Sequence, residues 1–216
     1  MNTPLVILDY DGTIGDTRQN IIRTFQSTMR YLGLEMRDEA TCARTIGLTL
    51  RDGFLAMYPD MDGEAADRCV AKYREIYFED VEANIPALFP HVAETLHTLY
   101  NQGYTLAIAS SRSSPSLRLF IERAGIAEYF SYILGADNVA RHKPDPEPVL
   151  NILRELGFKP AEAIVVGDMP VDMLMARNAD VRAVGVSYGN ATREELLAAG
   201  ADHLIDDFAE LLAICE

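Results

Sequence analysis

Hydrophobic positions along the chain fall into two textures. From residue 17 to about 83 they recur with helical spacing and carry almost no strand signal. Ile21, Ile22, Phe25, Met29 and Leu32 share one helical face, and Gly33 stands where a C-cap glycine belongs. A second long helical stretch runs through EAADRCVAKYREIYFEDVEANI, residues 64–85. From residue 88 the pattern becomes apolar runs alternating with amphipathic segments. YTLAIAS (104–110), YILGA (132–136), AIVVGD (163–168) and RAVGVSYG (182–189) read as strands. SPSLRLFIERAG (114–125), DPEPVLNILRELG (145–157) and PVDMLMARNA (170–179) read as helices. In TREELLAAG (192–200), Thr192 and Glu195 predict a capping box and Gly200 a helix end. This alternation predicts a parallel sheet covered by helices on both faces. Leu5–Leu8 supplies a first strand, so the helical stretch is an insertion behind it.

The first strand runs into LVILDYDGTIGDT (5–17), which puts two carboxylates one residue apart. Asp-Gly ends strands in ordinary turns, and that reading suffices for the pair alone. Alternate residues of an extended chain share a side, however, so Asp9 and Asp11 crowd like charges unless a cation or proton intervenes. The other strand ends settle the choice, because ligands of open parallel sheets bind at the carboxyl ends of the strands. There stand Ser110 with Ser111 and Arg112, then Lys143 in RHKPDPEP, then Asp168 with Asp172 four residues on. Singly, these residues fit turn, capping and surface roles. Together they place acids, a hydroxyl and an ammonium on one edge, which is a site.

Composition narrows the partners. The chain has 216 residues, 49% of them hydrophobic, and a net charge of −14. That charge excludes a nonspecific nucleic-acid footprint and attraction to an acidic membrane surface, while a small anionic substrate stays compatible through local cations or a metal. No run of 18 apolar residues predicts a membrane span. The start MNTPLVILDYDG has no basic, cleavable leader pattern, and Cys42, Cys69 and Cys215 are scattered. Both features predict reduced thiols and a cytoplasmic location.

DYDGT, Ser110 after an apolar strand, KPDPEP and GDMPVD, in this order, resemble the four motifs of the haloacid dehalogenase-like hydrolase superfamily, over essentially the whole chain. TIGLTLRDGF (45–54) and GVSYGNATREEL (185–196) are similar to its phosphoglycolate phosphatase-like branch. The resemblance implies an α/β fold: a Rossmann-like parallel core made of residues 1–16 and 84–216, with residues 17–83 as an inserted α-helical cap. The sequence departs from the branch at His91 and Asp180, where glycine usually stands, and at Ser111-Arg112, where Asn-Lys is typical.

The resemblance also implies a chemistry. Asp9 is expected as nucleophile toward phosphorus, and Asp11 as the acid and then the base. Mg²⁺ is expected on Asp9, the Asp11 carbonyl and Asp168, with Asp172 as a ligand or directly behind one. Ser110, Lys143 and the backbone N–H groups after Asp9, at Gly12 and Thr13, are expected on the transferring oxygens, with Ser111 and Arg112 beside them. Arg51 is expected over the leaving group, or else paired on the surface with an acid such as Asp52 or Glu64. The substrate is expected to be a small phosphorylated metabolite, with phosphoglycolate as one candidate. Asp11 points away from dehalogenation. Ile21, standing where sugar phosphomutases of the branch carry histidine, points away from mutase chemistry. Phosphomutase, pyrophosphatase or nucleotidase activity, and a non-catalytic binding module, are the alternatives.

Overall fold

The computed structural model describes residues 4–81 and 85–215. The expected boundary at 83/84 and the end of the 64–85 helical stretch lie outside the described residues. β1 (Leu5–Leu8) is followed by α1 (Arg18–Leu32), α2 (Glu39–Ala43), α3 (Leu50–Met57) and α4 (Gly63–Val81). Then come α5 (Val92–Asn101), β2 (Thr105–Ala109), α6 (Ser114–Arg123), β3 (Phe130–Leu134) and α7 (Glu147–Leu156). β4 (Ala163–Gly167), α8 (Pro170–Asn178), β5 (Arg182–Val186), α9 (Arg193–Ala198), β6 (His203–Ile205) and α10 (Leu211–Cys215) complete the order.

The six strands form one parallel sheet in the order β3-β2-β1-β4-β5-β6. β1 is central because all four of its side chains can be buried. Val6 and Leu8 face a core shared with Leu96, Leu117, Phe120 and Leu211, and Leu5 and Ile7 face a second core with Val149, Ile152, Met173 and Leu196. Each fully buried side chain of this kind contributes about 1.5–3 kcal/mol. Helices α5, α6 and α10 thus cover one face, and α7, α8 and α9 the other. Leu8 is in register with Ile108 on one side and Val166 on the other. Asp9 therefore leaves the sheet level with Ala109 and Gly167, and Ser110 and Asp168 follow on the same edge.

Helices α1 to α4 pack on one another around an aromatic cluster. The Phe25 ring lies 5.1 Å from Phe54 and 4.8 Å from Tyr73, centroid to centroid. The expected face of α1 is buried except at Leu32, which is half-buried. Gly33 closes the helix at φ 67°, and Asp38 and Thr49 cap α2 and α3 by accepting from the N–H of Thr41 and of Asp52. The capping box Thr192–Glu195 forms as expected. β3 begins and ends two residues earlier than YILGA suggests. It is an edge strand, its pairing with β2 shifts register at Leu106/Ala107, and Gly135 already belongs to the following turn.

His91 and Asp180 both occupy the left-handed region, at φ 61° and 56°. A side chain there costs roughly 1–2 kcal/mol for an ordinary residue, less for Asp. His91 gains a compensating pair, its Nδ1 lying 2.7 Å from an Asp207 carboxylate oxygen. Asp180 has no such pair among the described residues. Asp180→Gly should therefore be neutral to stabilising, by about 0–1 kcal/mol, the relieved strain exceeding the extra chain entropy of glycine. His91→Gly should gain less. Asp180→Val should lose more than about 1 kcal/mol. Urea unfolding midpoints of the three variants check this order.

Candidate active site

The carboxyl edge of the sheet gathers the charged groups. The chain continues pairing for one residue past β1, Asp9 N–H donating to the Val166 carbonyl at 2.9 Å. That fixes where the Asp9 side chain starts. Lys143 reaches it from the loop before α7, with Nζ donating to Asp9 Oδ1 at 2.8 Å and to Asp172 Oδ1 at 2.6 Å. The loop is shaped by Glu147, which accepts from the N–H groups of Ala140 and Arg141, and by Asp145, which accepts from Glu147 N–H. Asp172 lies in the first turn of α8, and its Oδ2 accepts from Met169 N–H at 3.1 Å. Asp168 Oδ2 accepts from both the N–H and the side-chain amide of Asn190, at 2.8 Å each. Its Oδ1 is left with one long contact, 3.5 Å from the Thr13 hydroxyl.

Asp9, Asp168 and Asp172 offer carboxylate oxygens that all lie within 4.8 Å of one another, and all three residues are buried. Three carboxylates against one ammonium leave two negative charges that Lys143 does not offset. Burial raises the Asp9 pKa to about 7; Lys143 opposes the rise, but Asp172 and Asp11 add to it. Asp168 is pushed well up by burial and by the charges of Asp172 and Asp9, against the two bonds from Asn190. Burial works against the charge on Lys143, yet Asp172 and Asp9 outweigh it and raise its pKa. An all-oxygen pocket that carries two negative charges once its three carboxylates are ionised suits a small hard divalent cation. Gly12, at φ 87°, leaves room for the Asp168 carboxylate and its Asn190 partner: a Cβ there would stand 2.1 Å from Asp168 Oδ2 and 2.4 Å from the Asn190 amide nitrogen.

Asp11 is held apart from this cluster. Arg112 forks onto its carboxylate, Nη2 to Oδ1 at 2.6 Å and Nε to Oδ2 at 3.0 Å. Arg112 Nη1 donates to the Tyr77 hydroxyl at 2.9 Å and the Ser116 hydroxyl at 3.0 Å. Its guanidinium carbon also lies over the rings of Phe120 and Tyr77, at 4.7 and 5.1 Å. Asp9, Asp11, Ser110, Lys143, Asp168 and Asp172 thus lie together on one edge, whereas Arg51 lies on α3 across the cavity. The N–H groups of Gly12 and Thr13 are consumed by the turn itself, donating to the carbonyls of Gly15 and Tyr10. Neither the Tyr10 nor the Asp11 N–H has a backbone partner among the described residues. Ser110 is buried, and its Oγ accepts from Arg112 N–H at 3.3 Å. The Ser111 hydroxyl donates to the Gly47 carbonyl in the helical insertion, at 2.6 Å. Arg51 pairs with Asp67 at 3.0 Å, rather than with Asp52 or Glu64.

A cavity of about 570 Å³ opens from Asp9 and Asp11 toward the insertion, reaching Thr49, Arg51, Arg74 and Tyr77. Sequence reasoning missed Asn190, which orients Asp168, and Arg18, whose Nη1 in turn holds Asn190 Oδ1 at 2.8 Å. It also missed Tyr188, whose hydroxyl donates to the Thr13 carbonyl at 2.8 Å. Tyr188 and Asn190 lie in GVSYGNATREEL and follow β5 on the same sheet edge, and both facts were signals for them.

The sequence profile of the haloacid dehalogenase-like hydrolases matches residues 6–186. A Dickeya dadantii protein named as a probable phosphatase, IndB, is 39% identical over 97% of this chain and 92% of its own length. The phosphoglycolate phosphatase of Salmonella typhimurium is 30% identical, over 96% of this chain and 90% of its own. The pyrophosphatase PpaX of Bacillus pumilus is 32% identical, over 97% and 94%. A solved haloacid dehalogenase-like hydrolase from Bacteroides fragilis superimposes with a TM-score of 0.92 at 29% identity, covering 96% of this chain and 99% of that one. Among the described residues, no helix is long and apolar enough to cross a membrane.

The crowded carboxylates give the metal-free protein a defined pH response. The folded pKa of Asp9, about 7, lies above the ordinary 3.8, so protonation favours the folded state. That stabilisation is complete below about pH 4 and is lost as pH rises through 7. Urea unfolding in EDTA should show stability declining from about pH 4 and levelling off above about pH 7. Saturating Mg²⁺ should flatten the decline, because the cation then balances the ionised cluster. A metal-free profile that rises over the same interval would contradict the charge accounting.

Proposed function

The chain belongs to the haloacid dehalogenase-like hydrolases, and from that premise we propose that it is a magnesium-dependent phosphatase acting on a small phosphate monoester through an aspartyl-phosphate intermediate. The observation that carries this reading is the buried group of Asp9, Asp168, Asp172 and Lys143, three carboxylates around one ammonium.

Asp9 attacks phosphorus with a carboxylate oxygen, and the bond from phosphorus to the ester oxygen breaks. Asp11 gives its proton to that departing oxygen. In the second half Asp11 takes a proton from water, the water oxygen attacks phosphorus, and the bond to Asp9 breaks to release phosphate. Mg²⁺, when bound by Asp9, Asp168 and the Asp11 carbonyl, offsets the negative charge that otherwise keeps an anionic nucleophile from a phosphate dianion. Asp168 suits direct ligation, since its Oδ1 has only the long Thr13 contact. Asp172 has both oxygens engaged, by Lys143 and by Met169 N–H, so its part is to hold Lys143 in place. Ser110, Lys143 and the N–H groups of Tyr10 and Asp11 bind the phosphoryl oxygens, as fixed donors for the charge that develops there.

Residues 17–83 act as a cap that selects the leaving group, with Arg51 on the cavity wall. Phosphoglycolate, named for the Salmonella relative, fits this reading as one candidate among small phosphorylated metabolites. Ile21 lines the cavity and has no proton to exchange, which favours hydrolysis over phosphomutase chemistry.

Phosphate release measured over a panel of phosphate esters, with a pyrophosphate included, tests the reading. Asp9→Asn should remove turnover while leaving the fold intact. EDTA should abolish activity and Mg²⁺ restore it. Ca²⁺ should inhibit, because its larger and looser coordination misplaces the nucleophile. Full activity without metal, or substantial activity in Asp9→Asn, would defeat the mechanism. Asp168→Ala should cost more activity than Asp172→Asn, as expected if only Asp168 is a direct ligand.

A further inference from the structure

Arg112 makes four hydrogen bonds: two to Asp11, one to Tyr77 and one to Ser116. A guanidinium has five donors in a rigid plane. With its fork closed on Asp11 and its remaining edge shared by two hydroxyls, Arg112 has no free fork for a substrate carboxylate or phosphate. The aromatic faces of Phe120 and Tyr77 fix the plane further. Ser116 is buried, Arg112 keeps only 9% of its side chain exposed, and Tyr77 is buried on α4 in the helical insertion. An arginine mounted this way fixes its partner.

We propose that Arg112 is a positioning residue that orients Asp11 for proton transfer, and that the Tyr77 hydroxyl ties this orientation to the placement of α4 over the sheet edge. The inference rests on the acid–base role given to Asp11 above. Asp11 keeps lone pairs outside the fork, so one oxygen can still carry the proton toward the ester oxygen while Arg112 holds the carboxyl plane. The carboxylate left when that proton has gone is the form Arg112 grips best, through charge-assisted bonds. Misplacing the carboxyl by an ångström forfeits most of the benefit of a positioned acid. If the insertion moves, Tyr77 moves with α4, and the plane of Arg112 loses one of its fixed contacts. The proton donor is then in place only when the insertion covers the cavity.

A general acid matters most when the leaving group is a poor one. An alkyl phosphate needs its departing oxygen protonated, whereas an aryl phosphate with an acidic phenol departs without that help. The measurement is the ratio of kcat/KM on an alkyl phosphate to kcat/KM on 4-nitrophenyl phosphate, which stops short of the hydrolysis step both share, at saturating Mg²⁺, for wild type, Asp11→Asn, Arg112→Lys and Tyr77→Phe. General acid catalysis is worth about 10²–10⁴-fold, so Asp11→Asn should lower the ratio by that order. Arg112→Lys keeps the charge but loses the fork and both hydroxyl bonds, and should lower it by roughly tenfold or more. Tyr77→Phe keeps the ring and removes the hydroxyl that accepts from Arg112, and should lower it by about three- to tenfold.

A ratio unmoved in both Arg112→Lys and Tyr77→Phe, or both substrates slowed equally, overturns the positioning role and leaves Arg112 a structural residue. A ratio moved by Arg112→Lys alone overturns the link to α4. A ratio unmoved in Asp11→Asn removes the acid role itself, so the preceding reading and this one fail together and visibly. Circular dichroism and urea unfolding show that each variant compared is folded.

Discussion

Everything at the sheet edge follows from one constraint: three carboxylates are held inside the protein with a single ammonium among them. Left to itself such a group would push apart or take up protons. It stays together because each side chain is anchored by something other than its neighbours' charge. Asp9 is set by strand pairing, Asp172 by Met169 N–H, Asp168 by Asn190, and Lys143 by a loop that Glu147 ties down. The hydrophobic burial of β1, four residues deep on two faces, supplies the stability against which the charges are crowded.

The insertion meets this edge through adjacent residues of one loop. Ser111 bonds the Gly47 carbonyl, and Arg112 bonds Tyr77 on one side and Asp11 on the other. The loop after β2 is therefore a joint between the cavity wall and the reacting groups. Arg51, which the sequence offered for contact with the leaving group, is balanced by Asp67 in this structure. Arg74, which reaches the same cavity, has no ion pair among the described residues.

Much of this was legible in the sequence, for physical reasons. Strand and helix periods in the second half are strong because the central strands are buried on both faces and the helices on one. The edge that carries the chemistry followed from parallel topology alone. His91 and Asp180 were visible as oddities, and their left-handed backbone explains why glycine is the easier residue at both places. What could not be read was pairing. Nothing in the spacing of Asp11 and Arg112, 101 residues apart, says that they meet, and nothing marks Asn190 as the holder of Asp168. The bounds of β3 lie two residues earlier than YILGA suggests because edge pairing and a close backbone approach at Gly135, both tertiary, decide where that strand ends.

The long separations in the chain have a consequence for biosynthesis. Lys143 lies 134 residues from Asp9, and Thr13 lies 155 from Asp168. β1 cannot acquire both neighbours until the chain has been made through β4. During synthesis the first two aspartates are thus an innocuous hydrated turn at the end of an unpaired strand. Their repulsion with the later acids arises only when β4 docks beside β1. Slow, non-local assembly of this kind exposes the apolar β1 for most of translation, but it also means that the chain never has to carry the electrostatic burden of its site before it has the core to bear it.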